Sequence, residues 1–465
     1  MQNQNAYASF VRKKLLIVPP VGITKDVPLI DGLFPHQDAL VRWALRRGRS
    51  AIFADTGLGK TRMQIAWADV VHRETGGDIL ILAPLAVAQQ TAEEAAQCGV
   101  NIKHVHEAAD LQPGINITNY DRLHKFNTDR FVGIVLDESS IIKNHTGKTL
   151  QALIDAFKHT PYRLCATATP APNDWTELGT HAEFLGIRSR AEMLAEFFVH
   201  DGGDTQTWRI KGHARQLFWK WVASWGVMLR SPADLGFDSS GYDLPPLEVH
   251  QHTVESEHDQ QETGYLFAME ATDLMERRNA RKASLDDRVK ACADLVNSSS
   301  DTWVIWCDLN AEGDALRMAI PGAVEIRGTD SEEVKEQRLH NFAHGKTRVL
   351  ITKASITGWG LNWQFCNHTA FVGVTDSWEA YYQAVRRFWR FGQKKSVNVH
   401  IFASEQEGSI VANLKRKEAD AKAMGDALAI EVLESVKSEL FGQTRESNPY
   451  QPRQAMKLPS FLKSQ

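Results

Sequence analysis

The stretch Ala54-Asp55-Thr56-Gly57-Leu58-Gly59-Lys60-Thr61 follows the apolar run Ser50–Phe53 and opens a predicted helix. Its glycines let backbone N–H groups wrap around phosphate oxygens, and the helix N-terminus adds a favourable dipole. Lys60 supplies a point charge for the β- and γ-phosphates, and the Thr61 hydroxyl can ligate Mg²⁺. Ala54 stands where the GxxxxGK[ST] pattern has its first glycine. A plain glycine turn between strand and helix is the competing reading. Gly-Lys-Thr in a strand–loop–helix setting favours nucleotide binding.

Downstream, Ile134-Val135-Leu136-Asp137-Glu138-Ser139-Ser140 ends an apolar strand in two acids. The carboxyl edge of a parallel sheet is where α/β folds bind ligands. An Asp-Glu pair alone is a common solvated strand end. With the phosphate loop upstream, Asp137 reads as a Mg²⁺ ligand, usually through water, and Glu138 as the group that orients the attacking water. A third block, Gln383-Ala-Val-Arg-Arg387-Phe-Trp-Arg390-Phe-Gly392-Gln393, puts Arg387 and Arg390 three apart on one helix face. Two guanidinium groups there suit a γ-phosphate whose charge grows in the transition state. An isolated run of this kind would read as a basic solvated face. Its place after a second α/β layer favours a role across a cleft.

Two stretches alternate short β-branched runs with amphipathic helices, the pattern of parallel α/β layers. The first, about 33–186, predicts strands at 50–53, 78–83, 101–105, 115–118, 131–136 and 163–166. The second, about 247–402, predicts strands near 302–307, 322–326, 348–352, 369–374 and 397–402. Between them, 187–246 carries Trp208, Trp219, Trp221 and Trp225, then a Gly/Asp/Ser-rich loop and Pro245-Pro246. It reads as a helical insertion and linker. The tryptophans could form a base-stacking surface, but aromatics near helical spacing favour core packing.

The chain has 465 residues, enough for two or three domains. Its 53 Lys+Arg against 57 Asp+Glu leave a net charge of −4, so any nucleic-acid contact must sit in a local patch. Cys98, Cys165, Cys292, Cys307 and Cys366 are scattered without a CxxC pair, as expected of reduced thiols in a cytoplasmic protein. The longest apolar run, 79–88, holds a proline and falls short of the ~18 residues of a membrane span, so no membrane partner is expected. The apolar stretch after Arg12-Lys13-Lys14 stops at Pro19-Pro20, too soon for a signal peptide.

In this order the blocks resemble the Swi/Snf-like branch of the superfamily-two DEAD/DEAH-box helicases, over about 33–402. Phe34-Pro-His-Gln37 resembles the adenine-reading glutamine motif. Ala54–Thr61 and Asp137–Ser140 resemble motifs I and II, Ala83-Pro84-Leu85 motif Ia, and Thr118-Asn-Tyr120 motif Ib. Thr167-Ala-Thr169-Pro170 with Asn173 resembles motif III. Met228-Leu-Arg230 and Leu244-Pro-Pro246 recur in the family before its second lobe. There, 303–310 resembles motif IV, Ile356-Thr-Gly358-Trp-Gly360-Leu361-Asn362 motif V, and 383–393 the QAxxRxxRxGQ of motif VI. Ser140 stands where the family usually has His or Asp, a position that often couples to motif VI. Lys335 stands where Arg is frequent. The compact size and the DESS sequence resemble small bacteriophage and prophage members, which would act in the host cell's cytoplasm.

The resemblance implies an α/β fold of two RecA-like P-loop lobes with a helical insertion and a C-terminal helical brace. The expected division is an N-terminal extension (1–26), lobe one (27–186), insertion and linker (187–246), lobe two (247–403), brace (404–440) and a disordered tail (441–465). It also implies ATP with Mg²⁺ between the lobes. The catalytic set would be Lys60, Glu138, Arg387 and Arg390. Gln37, Asp55, Thr56, Gly57, Leu58, Gly59, Lys60, Thr61, Asp137 and Gly360 would bind nucleotide, and Thr61 and Asp137 the metal. Hydrolysis would move the lobes along nucleic acid, with duplex DNA the expected track and backbone contacts near Pro84, Thr118, Thr167, Gly358 and Gly360. The rivals are a phage DNA-packaging-type ATPase, which would need a nuclease domain, and a non-hydrolysing ATP-regulated nucleic-acid-binding module.

Overall fold

The computed structural model describes residues 18–172, 174–201, 204–254, 282–357, 362–373 and 378–404, with Arg416 and Lys437. Asn173, Gly358, Gly360, most of the N-terminal extension, all but two residues of the expected brace beyond 404, and the tail lie outside the described residues.

Lobe one is built on apolar runs buried on both faces, the signature of parallel strands covered by helices. β1 (Arg49–Ala54), β2 (Asp78–Ala83), β3 (Ile102–His104), β4 (Ile115–Asn119), β5 (Phe131–Asp137) and β6 (Tyr162–Ala166) alternate with helical segments. The 198–210 region adds an antiparallel hairpin of β7 (Phe198–Asp201) and β8 (Asp204–Ile210). β9 (Gly226–Leu229) returns to the main sheet, whose order is β3-β4-β2-β5-β6-β1-β9. Its strand pairs are all parallel among the described residues. Consequently β6 lies between the strand that feeds the phosphate loop and the strand that ends in Asp137. Thr167, just past β6, is therefore held between the two chemical motifs.

Lobe two has β10 (Leu247–Val254), β11 (Trp303–Trp306), β12 (Val324–Glu325), β13 (Val349–Thr352), β14 (His368–Phe371) and β15 (Val397–Ser404), in the order β10-β15-β14-β11-β13-β12. These pairs are parallel too. Two parallel sheets flanked by helices make the two RecA-like lobes that the sequence implies.

The segment 187–246 is more than an insertion and linker. It holds helices Arg190–Phe197 and Arg215–Ala223, the hairpin, and the edge strand of lobe one's own sheet. Ala51 N–H donates to the Trp225 carbonyl at 2.8 Å, and Asp55 N–H to the Leu229 carbonyl at 2.8 Å. Four residues are too few for a periodic signal, so β9 is invisible until β1 offers it a partner. β10 was also hidden, because its pattern of Glu248, His250, Gln251 and His252 is polar and half-exposed. Trp219, Trp221 and Trp225 are fully buried in lobe one's core, and Trp208 packs against it half-buried, as the packing reading expects. All five cysteines are free, four of them buried. No described helix is long and apolar enough to cross a membrane.

Candidate active site

The phosphate loop leaves β1 and enters helix Lys60–Thr75 through two left-handed glycines, Gly57 (φ 91°) and Gly59 (φ 78°). Side chains are excluded there for space as well as for backbone strain. A Cβ on Gly59 would lie 2.1 Å from Gln37 Nε2, and one on Gly57 would lie 2.9 Å from the Phe391 nitrogen of lobe two. Gln37 is buried and bound at both ends of its amide. Its Oε1 accepts from the Phe34 N–H at 3.0 Å and its Nε2 donates to the Leu58 carbonyl at 3.0 Å. The glutamine expected to read adenine thus braces the phosphate loop.

Lys60 Nζ donates to the carbonyls of Ala54 at 2.9 Å and Asp55 at 3.4 Å. Burial lowers its pKa, while Glu138, Asp55 and Asp137 pull the other way. Asp137 and Glu138 are each 7% exposed. Burial raises Asp137 to about 6, reinforced by Glu138 and opposed by Gln64 and Lys60. Gln64 Nε2 donates to Asp137 Oδ1 at 2.6 Å. Gln64 sits one helical turn beyond Lys60, so one face of the helix carries both. Glu138 has φ 51° and ψ 53°, and it is the single non-glycine residue with positive φ among those described. Such a conformation costs about 1–3 kcal/mol and persists where the surroundings enforce it. Here Thr167 Oγ1 donates to Glu138 Oε2 at 3.3 Å and accepts from the Thr169 N–H at 3.1 Å.

Lobe two closes the other side, with Arg387 and Arg390 in the turn just past helix Trp378–Val385 and not on one helix face as the spacing predicted. Arg387 is 3% exposed, and burial brings its pKa down to about 9 against the pull of Glu138. Arg390 is lowered for the same reason, again with Glu138 opposing. Helix Trp378–Val385 meets motif III and the turn after motif II, since Glu379 accepts from Thr169 Oγ1 (3.4 Å) and from Lys143. Arg122 and Glu332 form a further ion pair between the lobes.

A cavity of about 360 Å³ lies at this junction. Of the residues expected from sequence, Gln37, Thr56, Gly57, Gly59, Lys60, Thr61, Asp137, Glu138, Arg387 and Arg390 all line it. Asp55 and Leu58 do not. Leu58 is 3% exposed and offers only its carbonyl to Gln37, and the Asp55 carboxylate faces lobe two. An acid turned toward phosphates would repel them, whereas this one meets a guanidinium. Gly360 lies outside the described residues. Thr118 and Thr167 are fully buried, and the Thr167 hydroxyl is committed to Glu138. Nucleic-acid contacts expected near these two cannot be made by their side chains.

Sequence reasoning missed Gln64, Arg386, Tyr382 and the aromatic wall that Tyr242 and Phe391 build against Phe34 of the glutamine motif. Tyr242 and Phe391 have ring centroids 4.7 Å apart, and Phe34 lies 6.0 and 6.3 Å from them. The Gln64 signal was its four-residue spacing from Lys60. The others are brought together only by folding.

The glycine cradle would accept phosphates that a Cβ would exclude. The Thr61 hydroxyl and Asp137 carboxylate are hard oxygen donors of the kind Mg²⁺ takes. The residues present therefore fit a magnesium nucleotide.

Family models match the chain twice, as an SNF2-related domain over residues 36–283 and a helicase conserved C-terminal domain over 289–392. A "Probable global transactivator" of Orgyia pseudotsugata multicapsid polyhedrosis virus is 24% identical over 475 residues, covering 84% of this chain and 91% of the viral protein. The Bos taurus "SWI/SNF-related matrix-associated actin-dependent regulator of chromatin subfamily A-like protein 1" is 23% identical over 433 residues, 82% of this chain but 44% of that protein. The chain thus spans nearly all of the viral relative and less than half of the bovine one. Among solved structures, the "Sulfolobus solfataricus SWI2/SNF2 ATPase core in complex with dsDNA" has a TM-score of 0.42 and 17% identity, covering 89% of this chain and 98% of that one. With more than half of its length matched by the SNF2-related model, a helicase C-terminal match following it, and their motifs gathered around one interlobe cavity, the chain belongs to the SNF2-related, Swi/Snf-type family of superfamily-two helicase-like ATPases.

Proposed function

We propose that this protein hydrolyses ATP to ADP and phosphate and uses the cycle to move along duplex DNA. The observation that carries the reading is the meeting of Lys60, Asp137 and Glu138 of lobe one with Arg387 and Arg390 of lobe two around a single cavity. Lys60 and the glycine-loop N–H groups would hold the β- and γ-phosphates. Mg²⁺, held by Thr61 and Asp137, would neutralise developing phosphate charge. Glu138, fixed by Thr167, would orient the water that attacks the γ-phosphorus. Arg387 and Arg390 would stabilise the charge that accumulates there. Both arginines belong to lobe two, so hydrolysis requires a closed cleft, and release of products lets it open. That hinge motion is the element a translocating motor needs.

The family's SNF2-related character speaks against the packaging-motor rival. The complete set of charged groups speaks against a module that binds ATP without cleaving it. Duplex translocation without strand opening is supported by the resemblance of the motif V and VI blocks to the Swi/Snf branch. It is also supported by the fate of the tryptophans that could have served as a wedge, since Trp219, Trp221 and Trp225 are buried in the core. DNA contacts would be made to phosphates, so binding should weaken steeply with salt and ignore sequence. Triplex displacement and forked-duplex unwinding separate the outcomes. ATP-dependent displacement of the third strand with an intact fork is expected. Efficient fork opening without triplex displacement would make the protein a strand-separating helicase.

A further inference from the structure

The residue ahead of the first expected arginine, Arg386, reaches back into the phosphate loop. Its guanidinium Nη2 donates to Asp55 Oδ2, and Tyr382, one helical turn earlier, donates its hydroxyl to Asp55 Oδ1 at 2.6 Å. Arg386 Nε also donates to the Tyr382 oxygen at 3.2 Å, and Nη1 to the Trp389 carbonyl at 3.3 Å. The guanidinium lies over the Trp389 ring, 4.8 Å from its centroid. Asp55 Oδ1 further accepts from the Thr56 N–H at 2.6 Å. Among the described residues, every donor the carboxylate meets therefore comes either from the next loop residue or from lobe two.

We propose that Asp55, Tyr382 and Arg386 are positioning residues that clasp the phosphate loop to lobe two and so set Arg387 and Arg390 on the γ-phosphate. The inference deepens the ATPase reading and rests on it for its kinetic consequence. Three observations carry it. The pair is largely withdrawn from water, with side chains 9% and 20% exposed, so neither solvent nor salt screens it as they would a surface pair. Arg386 is adjacent to Arg387 and four residues before Arg390 in the turn that follows helix Trp378–Val385, so fixing it fixes the segment that presents both. The Phe391 backbone already abuts Gly57, so clasp and loop are in contact at two points.

The clasp also answers a question posed by motif II. Its fourth position is Ser140, where the family usually carries a His or Asp able to couple to motif VI. Among the described residues the buried Ser140 hydroxyl meets no hydrogen-bond partner. In this chain the phosphate loop contributes an acid, Asp55, that engages the motif VI segment through Arg386. Asp55 and Arg386 are 331 residues apart in sequence, and the contact exists only when the lobes meet.

The test uses Arg386→Ala, the conservative Arg386→Lys, Tyr382→Phe, Asp55→Asn and the double variant Asp55→Asn/Arg386→Ala in the full chain. Two readouts are taken, steady-state ATP turnover with duplex DNA and interlobe energy transfer between dyes on Lys103→Cys and Met318→Cys without nucleotide. Arg386→Ala should lower kcat at least tenfold while KM for ATP moves less than threefold, with Arg386→Lys recovering part of the loss. Asp55→Asn/Arg386→Ala should be no worse than the poorer single variant, because both remove one contact. Arg386→Ala should also lose the high-transfer population. Wild-type kcat in Arg386→Ala, additive losses in the double variant, or an unchanged transfer distribution would each overturn the clasp. If the unsubstituted protein shows no turnover at all, the ATPase reading fails, and the transfer distribution alone decides whether the clasp exists.

Discussion

Thr167 Oγ1 donates to Glu138 Oε2 across 3.3 Å, linking the end of β6 to the end of β5. The bond fixes a carboxylate whose backbone is already held in the left-handed region. Thr167→Val keeps the shape and removes the donor. ATP turnover should fall about tenfold, near the low end of the cost of a hydrogen bond to a charged group. KM should stay close to that of the unsubstituted protein, since Glu138 is not expected to hold substrate. Steady-state kinetics with duplex DNA checks both values.

Glu138→Gln should separate binding from cleavage. The amide is isosteric but cannot take the proton of the attacking water. Loss of a general base costs roughly 10²–10⁴-fold in rate. Fluorescent ATP-analogue binding should persist while phosphate release stops. Near-wild-type turnover would remove Glu138 from the reaction.

Arg387→Ala and Arg390→Ala should lower kcat by about 10³-fold, as loss of an arginine finger does in other phosphoryl-transfer enzymes. ATP affinity should change far less. Normal hydrolysis combined with weakened DNA binding would return this segment to the role of a basic nucleic-acid contact.

Two histidines should make stability pH-dependent. His181 is fully buried, and burial lowers its pKa to about 4 against its hydrogen bonds to Glu177 and Ser139. His400 is also lowered to about 4, first by burial and then by His250, His252 and His368, the last of which faces Asp301 at 3.7 Å. The unfolded chain takes up protons at these positions near pH 6.5, whereas the folded chain resists until about pH 4. Between those values the unfolded state binds more protons, so stability is present above pH 6.5 and is lost as pH falls toward 4. Thermal melts across that range should show a falling Tm, and His400→Gln should flatten the slope.

The chemistry at strand ends was legible because each motif is local. Gly57, Gly59, Lys60 and Thr61, Asp137-Glu138 and Arg387/Arg390 announce themselves within a few residues, and all of them line one cavity. What escaped the sequence was decided by pairing across distance. β9 is four residues that become a strand only beside β1, and β10 is a polar run that becomes one only beside β15. Asp55 was read as a nucleotide-binding residue from its neighbours in the loop. Its partner turned out to be Arg386, a position that sequence spacing treats as an ordinary helix residue. Tyr242 reaches the cavity from a Gly/Asp/Ser-rich loop that carries no helical or strand pattern.

The most direct test of the ATPase is turnover in the presence and absence of duplex DNA, measured for the unsubstituted protein beside Lys60→Ala. The hydrogen bonds of Lys60 among the described residues go to carbonyls of its own loop, so its loss should spare the fold while removing the charge that meets phosphate. DNA-stimulated hydrolysis that vanishes in Lys60→Ala, with unchanged circular dichroism, is the expected result. Absence of turnover with any nucleic acid, or turnover that survives in Lys60→Ala, would contradict the assignment of this cavity as an ATPase site.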